Sequence, residues 1–230
     1  MRTITKSKPF EEIVQMLSKT DKVYIVGCGT CATMCQTGGK TEVMAMKTKL
    51  EGIGKKVTGW MVLPTGCDEL AKSALDDNAK AVNAADGILA MHCAFGNQTL
   101  SLYTDKLVYP GVNTSFVGIE DTPGHYIEVC RQCGDCVLGK TAGFCPLVRC
   151  SKSLMNGPCG GSSNGKCEVS KEIPCVWQQI YDRLKASGRL DALEAICPIH
   201  DWSVAVEGGP RRFDVSSVCA TTPTTTEAVK

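Results

Sequence analysis

Fifteen cysteines in 230 residues constrain this chain more than any other feature. Short exported chains carry such a density as a disulfide framework. This chain is not short, and its opening residues, MRTITKSKPFEEIV, lack the apolar stretch of a signal peptide. The expected setting is the cytoplasm, where thiols stay reduced and a high cysteine count points to metal. Lys and Arg total 25 against 24 Asp and Glu, a net charge of +1. That balance gives little support for nucleic acid or an anionic membrane as a partner. No apolar run reaches the ~18–20 residues of a membrane span. With 43% hydrophobic and 21% charged residues, the composition is that of an ordinary folded protein of one or two domains.

The first 120 residues alternate between strand and helix patterns. PFEEIVQMLSK at 9–19 has apolar residues at helical spacing, and KVYIVG at 22–27 is a β-rich run ending in glycine. A helix is expected over 38–50, a strand over 57–63 stopped by Pro64, and a helix from Asp68 to about Ala85. A third strand is expected at 87–91, with one or two more across 107–117. Strands separated by helix-length segments predict an α/β domain, a Rossmann- or flavodoxin-like parallel sheet layer over 1–120. Residues 121–175 differ: they hold eight cysteines, many glycines and prolines, and almost no periodicity. This predicts a Cys-rich, metal-stapled domain over 121–210 that needs cross-links to hold one shape. Its one long helix is expected from Val176, with Trp177, Ile180, Tyr181 and Leu184 on one face and an end near Gly188; a helical turn should follow over 191–196. The tail at 211–230 has no core-forming residues and is expected to be mobile.

Three groups of cysteines carry the chemistry. The first is GCGTCATMC at 27–35, in which Cys28, Cys31 and Cys35 follow a strand directly. Cys67 follows the second strand and Cys93 the third. In a parallel sheet the carboxyl ends of the strands open onto one crevice where ligands bind. All five thiols can therefore face one site, and a [4Fe–4S] cluster takes four. The favoured set is Cys28, Cys31, Cys35 and Cys93, with either Cys67 or Cys93 open as the spare. The competing readings are buried small apolar residues for Cys67 and Cys93, and a redox dithiol for the triplet.

The second group is CRQCGDC at 130–136, followed after eight residues by Cys145-Pro146. Three cysteines at C-x2-C-x2-C with a distant Cys-Pro fit ferredoxin-type cluster binding better than a zinc knuckle. The third group is Cys145, Cys150, Cys159, Cys167 and Cys175. With Cys130, Cys133 and Cys136 this makes eight, enough for two four-Cys sites. Because a Cys-Pro cysteine can serve the other cluster, the allocation stays open. Two or three [4Fe–4S] clusters are expected, with zinc the alternative at the third group. Cys197 and Cys219 lie outside both groups and read as plain thiols. His92, beside Cys93, is read as a structural histidine before a ligand. The chain has no G-x-G-x-x-G after a strand, P-loop, G-x-S-x-G elbow or H-E-x-x-H motif. Nothing in it specifies an acid–base pair, so the pattern favours electron wiring over organic catalysis.

The stretch CPLVRCSKSLMNGPCGGSSNGKCEVSKEIPCVWQQIYDRL at 145–184 resembles the Cys-rich domain found fused to, or encoded beside, methylenetetrahydrofolate reductases of anaerobic bacteria. NGPCGG at 156–161, KCEV at 166–169 and CVWQQIYDRL at 175–184 carry the likeness. CRQCGDCVLGKTAGFCP at 130–146 and GCGTCATMCQTGGK at 27–40 are similar to the stand-alone, MetV-type small subunit of that family. The resemblance implies a non-catalytic iron–sulfur electron-transfer subunit in the methyl branch of the reductive acetyl-CoA pathway. It also implies a flavin-bearing TIM-barrel partner, with FMN or FAD, on which 5,10-methylenetetrahydrofolate becomes 5-methyltetrahydrofolate, and a separate electron-donor protein or subunit. The alternative is a zinc module that stabilises the reductase complex without redox work.

Overall fold

A computed structural model describes residues 2–211. The chain divides into two units, Met1–Arg131 and Gln132–Lys230. Apart from Arg211, the tail expected to be mobile lies outside the described residues, as does Cys219.

The first unit is built on a four-stranded parallel sheet of β2 (Lys22–Cys28), β3 (Lys56–Leu63), β4 (Gly87–Met91) and β5 (Leu107–Pro110), in the order β3-β2-β4-β5. That is the flavodoxin-like order, in which the chain starts in the middle and winds both ways. Strands β2 and β4 read as continuous apolar runs because both faces of the sheet are covered. Alternate residues serve opposite faces. Val23 and Ile25 pack with Ile13 and Leu17 beside α1 (Phe10–Met16), and with Val43, Met46 and Leu50 of α3 (Lys40–Gly52). Tyr24 and Val26 pack on the other side against Ala71 and Leu75 of α4 (Leu70–Asp77), Val82 of α5 (Ala79–Asn83) and Leu100 of α6 (Ala94–Tyr103). Leu89 in β4 is fully buried. Leu89→Ala should therefore cost about 2–5 kcal/mol, the range for a large-to-small change in a closed core, read as a lowered urea midpoint for the sheet unit.

The single helix expected over 68–85 is two, α4 and α5. At Asn78 the backbone leaves the helical region, and its side-chain amide donates to the Ala74 carbonyl. Asp68 still acts at the start, accepting from the Leu70 N–H at 3.0 Å. A second, antiparallel sheet was not foreseen. It consists of β1 (Arg2–Ser7), β6 (Val112–Thr122) and β7 (His125–Glu128), in the order β1-β6-β7.

The second unit has little regular structure: a one-turn helix α7 (Pro146–Arg149), the long helix α8 (Val176–Ala186) and short 3₁₀ turns. Its core is Val176, Trp177, Ile180 and Leu184, four residues of one helix face, with Phe144 and Ala142 packed against them. Tyr181, expected on that face, is instead exposed. The NGPCGG segment turns on Gly157 and Gly160, both at positive φ, a conformation that side chains disfavour. Asn156 fixes that turn to a distant strand of chain. Its side-chain oxygen accepts from the Cys197 N–H at 2.7 Å while its amide donates to the Cys197 carbonyl. Trp177 Nε1 donates to the Leu154 carbonyl at 3.0 Å.

Candidate metal centres

The carboxyl edge of the parallel sheet gathers the first group of thiols. Cys28 is the last residue of β2 and is buried. Cys31 opens the short helix α2 (Cys31–Met34), and Cys35 closes it. Cys67 lies in the loop after β3, and Cys93 precedes α6 just beyond β4. The turn is held by backbone and hydroxyl contacts. The Gly29 N–H donates to the Leu63 carbonyl at 2.7 Å, Thr30 Oγ1 to the Pro64 carbonyl at 2.7 Å, and Thr33 Oγ1 to the Cys28 carbonyl at 2.6 Å.

Partial burial, and then the neighbouring Cys93, Cys28 and Cys31, push the Cys67 thiol above its ordinary value. A thiolate at Cys67 feels a like charge only from sulfurs that lie near it. Cys67 thus lies near Cys93, Cys28 and Cys31 at this edge. Cys35 turns its Sγ towards the Thr3 carbonyl, 3.9 Å away, while the Thr3 N–H points to Cys31 Sγ at 3.4 Å. Thr3 belongs to β1, which the sequence reading passed over. The alternating RTITKS run was the available signal.

His92 stands at the same edge. It is 1% exposed, and burial lowers its pKa to about 4, so its ring is neutral at pH 7.

In the second unit, Cys150, Cys159, Cys167 and Cys175 line one small cavity of about 20 Å³, together with Arg149, Lys152 and Glu168. These four come from separate short pieces of chain; side-chain contacts of Ser151 and Lys152 tie the Cys150 piece to Cys167 and Glu168, and backbone bonds tie the Cys167 and Cys175 pieces to each other. The Cys175 N–H donates to the Gly165 carbonyl at 2.8 Å and the Cys167 N–H to the Ile173 carbonyl at 2.9 Å. A hydrogen bond with the Ser151 hydroxyl, then backbone N–H groups, lower the Cys167 thiol pKa. That favours the thiolate, the form that binds metal. Lys152 pairs with Glu168 beside this cavity and is close enough to Cys159 and Cys167 to be affected by their charge. Two cations at the rim offset the charge that several thiolates would bring together.

The C-x2-C-x2-C triplet spans the division of the chain. Cys130 falls in the first unit, and Cys133, Cys136 and Cys145 fall in the second. Cys133 Sγ lies 3.6 Å from the Asp135 carbonyl, and Cys145 caps α7. Cys145 is not among the residues of the four-thiol cavity. Cys197 stands apart from that cavity as well, its backbone held by Asn156.

Among the described residues, no three His, Cys, Asp or Glu side chains converge on a single ion-binding point. The two thiol groups nonetheless fit metal by donor chemistry. Cys28, Cys31, Cys67, Cys93, Cys150, Cys159, Cys167 and Cys175 are all unbridged thiols, and four-thiolate sets serve both iron–sulfur clusters and structural zinc. Among the described residues no helix is long and apolar enough to cross a membrane.

Residues 109–203 match the family described as methylene-tetrahydrofolate reductase C terminal. The match runs from β5 through the four-thiol cavity and covers less than half of the chain, so relationship to that reductase rests on this portion. No curated protein and no solved structure gave a match.

Proposed function

We propose that the chain is the iron–sulfur, electron-transfer subunit of a methylenetetrahydrofolate reductase, of the MetV type. It would pass electrons to FMN or FAD on a TIM-barrel partner that reduces 5,10-methylene- to 5-methyltetrahydrofolate. The observation that carries this reading is the coincidence of the reductase-family match with the C-x2-C-x2-C triplet Cys130, Cys133 and Cys136 inside the matched residues. The thiols gathered at the carboxyl edge of the parallel sheet support it. Reduction of the methylene bridge takes two electrons and two protons, and a [4Fe–4S] cluster supplies electrons singly. The residues of this chain hold and tune such clusters: thiolates at Cys28, Cys31, Cys67 and Cys93 form one donor set. The spacing of Cys130, Cys133 and Cys136 fits a second cluster, with one later cysteine as its fourth ligand. No residue of this chain is assigned to the organic chemistry.

The cavity at Cys150, Cys159, Cys167 and Cys175 favours a different occupant. Its volume of about 20 Å³ is close to that of one water-sized body, which suits a single zinc ion with four Zn–S bonds of ~2.3 Å. A zinc there would hold the fold without redox work. Anaerobically purified protein should then carry about eight iron, four per cubane, and about one zinc. Iron below about four per chain after full reconstitution would sink the multi-cluster reading.

The relay has its own test. Cys133→Ala should reduce donor-driven folate reduction by the assembled complex to background, because a missing thiolate opens that cluster. The partner's flavin should still turn over with an artificial reductant. Unchanged donor-driven turnover in an assembled Cys133→Ala complex would remove that centre from the path.

A further inference from the structure

His92 is buried, yet its Nε2 has no hydrogen-bond partner. A buried polar atom left unsatisfied costs free energy, commonly about 1–3 kcal/mol, and calls for an explanation. The other ring nitrogen, Nδ1, lies 3.4 Å from the Cys93 carbonyl. A carbonyl oxygen only accepts, so the contact assigns a proton to Nδ1 and leaves Nε2 as the nitrogen open to a ligand. This is the arrangement of a metal-binding imidazole, whose far N–H is held by a carbonyl to fix tautomer and orientation.

The ring is also locked. A methyl group at Gly96 would come within 2.5 Å of Nδ1, and one at Gly66 would sit 3.5 Å from Cδ2. The same Gly66 position is 3.7 Å from Cys28 Cβ. The imidazole therefore lies between the Cys67 loop and the start of α6, beside Cys28. Asn97 holds this turn, its amide donating to the His92 carbonyl at 3.0 Å.

We propose that His92, through Nε2, is a nitrogen ligand of the metal centre built on the thiols at the carboxyl edge of the parallel sheet. The proposal rests on the reading that those thiols hold metal, and it makes the centre a mixed Cys/His site. With His92 as a ligand, three of the four thiols Cys28, Cys31, Cys67 and Cys93 complete a four-ligand set.

The test uses the full chain reconstituted with iron and sulfide and labelled with ¹⁵N only in histidine. The chain has three histidines, His92, His125 and His200. Pulsed EPR of the reduced protein should show a strong histidine-nitrogen coupling that changes on ¹⁵N labelling and is lost in His92→Gln. If the site takes zinc, the cobalt(II)-substituted protein gives the same readout. Wild-type protein without histidine coupling overturns the proposal, and so does coupling that survives in His92→Gln. Metal analysis of Cys28→Ala separates the two layers. Because one of the four thiols is spare, the variant also carries Cys93→Ala, which leaves too few thiols for a set; a metal content equal to wild type in Cys28→Ala/Cys93→Ala means that the edge holds no metal, and both readings fall. A reduced content with no histidine coupling in the wild type leaves the centre standing and removes His92 from it.

Discussion

Stripping the metal proposed for the second unit should unfold most of residues 132–175 while leaving the parallel sheet intact. The two units differ sharply in what holds them. The first has two apolar clusters, one on each face of the sheet, with Tyr24, Ile25, Leu50, Ile88, Leu89 and Leu100 fully closed to solvent. In the second, the fully buried apolar positions of the cluster come from α8 alone. The rest of that unit is turns, several of them at costly backbone conformations: Gln132, Ala142, Ser153 and Asn164 all have positive φ without being glycine. Ordering such a segment costs about 1–2 kcal/mol per residue in backbone entropy, and little apolar burial is present to offset it. Structural four-cysteine metal sites contribute roughly 10–16 kcal/mol in small domains, and that binding energy is folding energy. Hydrogen exchange of the full chain before and after chelation is the measurement. Protection should vanish across 132–175 and persist in β2 and β4. Equal protection of 132–175 in both states would show that contacts within the chain, and not metal, hold that unit.

What was legible in the sequence follows from how local the cause is. Strands β2, β3 and β4 could be read because each is a short apolar run bounded by breakers, and β4 was placed residue for residue at 87–91. The shared crevice at their carboxyl ends then followed from topology alone. β1 and β7 were missed because their cause is remote. Arg2 pairs with Gly118 and Ile119 with Ile127, and a half-polar edge strand takes its stability from such partners more than from its own pattern. The helix α6, AFGNQTLSLY, was passed over because its apolar stripe is thin: Gly96 and Leu100 are its buried positions. Asn78 broke a helix that periodicity alone would continue. Among the thiols, spacing found every member of the candidate sets but not their allocation. Cys67 and Cys35 differ in which carbonyls and sulfurs lie near them, and that depends on β1, whose place no local pattern gives. Similarly, the cavity brings Cys150 together with Cys159, Cys167 and Cys175 through side-chain contacts such as Lys152 with Glu168 and Ser151 with Cys167, between segments that share no periodicity. His92 was read as structural because a lone histidine usually is. Its unpaired Nε2 is a property of the packed turn and has no signature in the sequence.

Gly38→Ala should disrupt the sheet edge more than any other single methyl addition in the first unit. A Cβ at Gly38 would lie 1.6 Å from the Met91 carbonyl oxygen and 2.7 Å from its carbon. Neither atom belongs to a flexible side chain, so the segment or the end of β4 must move. The reason for the close approach is visible in the hydrogen bonds. The Gly38 carbonyl accepts from the Cys28 N–H at 2.9 Å, so the chain returning from α2 is pinned to the end of β2 and pressed against the end of β4. Only a residue without a side chain fits between them. Overpacking a closed site usually costs about 1–3 kcal/mol and more where backbone must shift, so a loss of about 3 kcal/mol or more is expected, measured as a fall in the urea midpoint of the sheet unit. The chemical consequence is separate from the loss of stability. Displacing Gly38 moves Cys28 at the end of β2 away from His92 and Cys93 after β4, the pair of strand ends between which the metal centre is proposed. Gly38→Ala protein kept folded at low temperature should therefore lose the iron of the sheet-edge centre and retain the metal of the second unit. If Gly38→Ala matched the wild type in both stability and metal content, the approach of this loop to β4 would be looser than described, and the sheet edge would not be the rigid frame that the candidate centre requires.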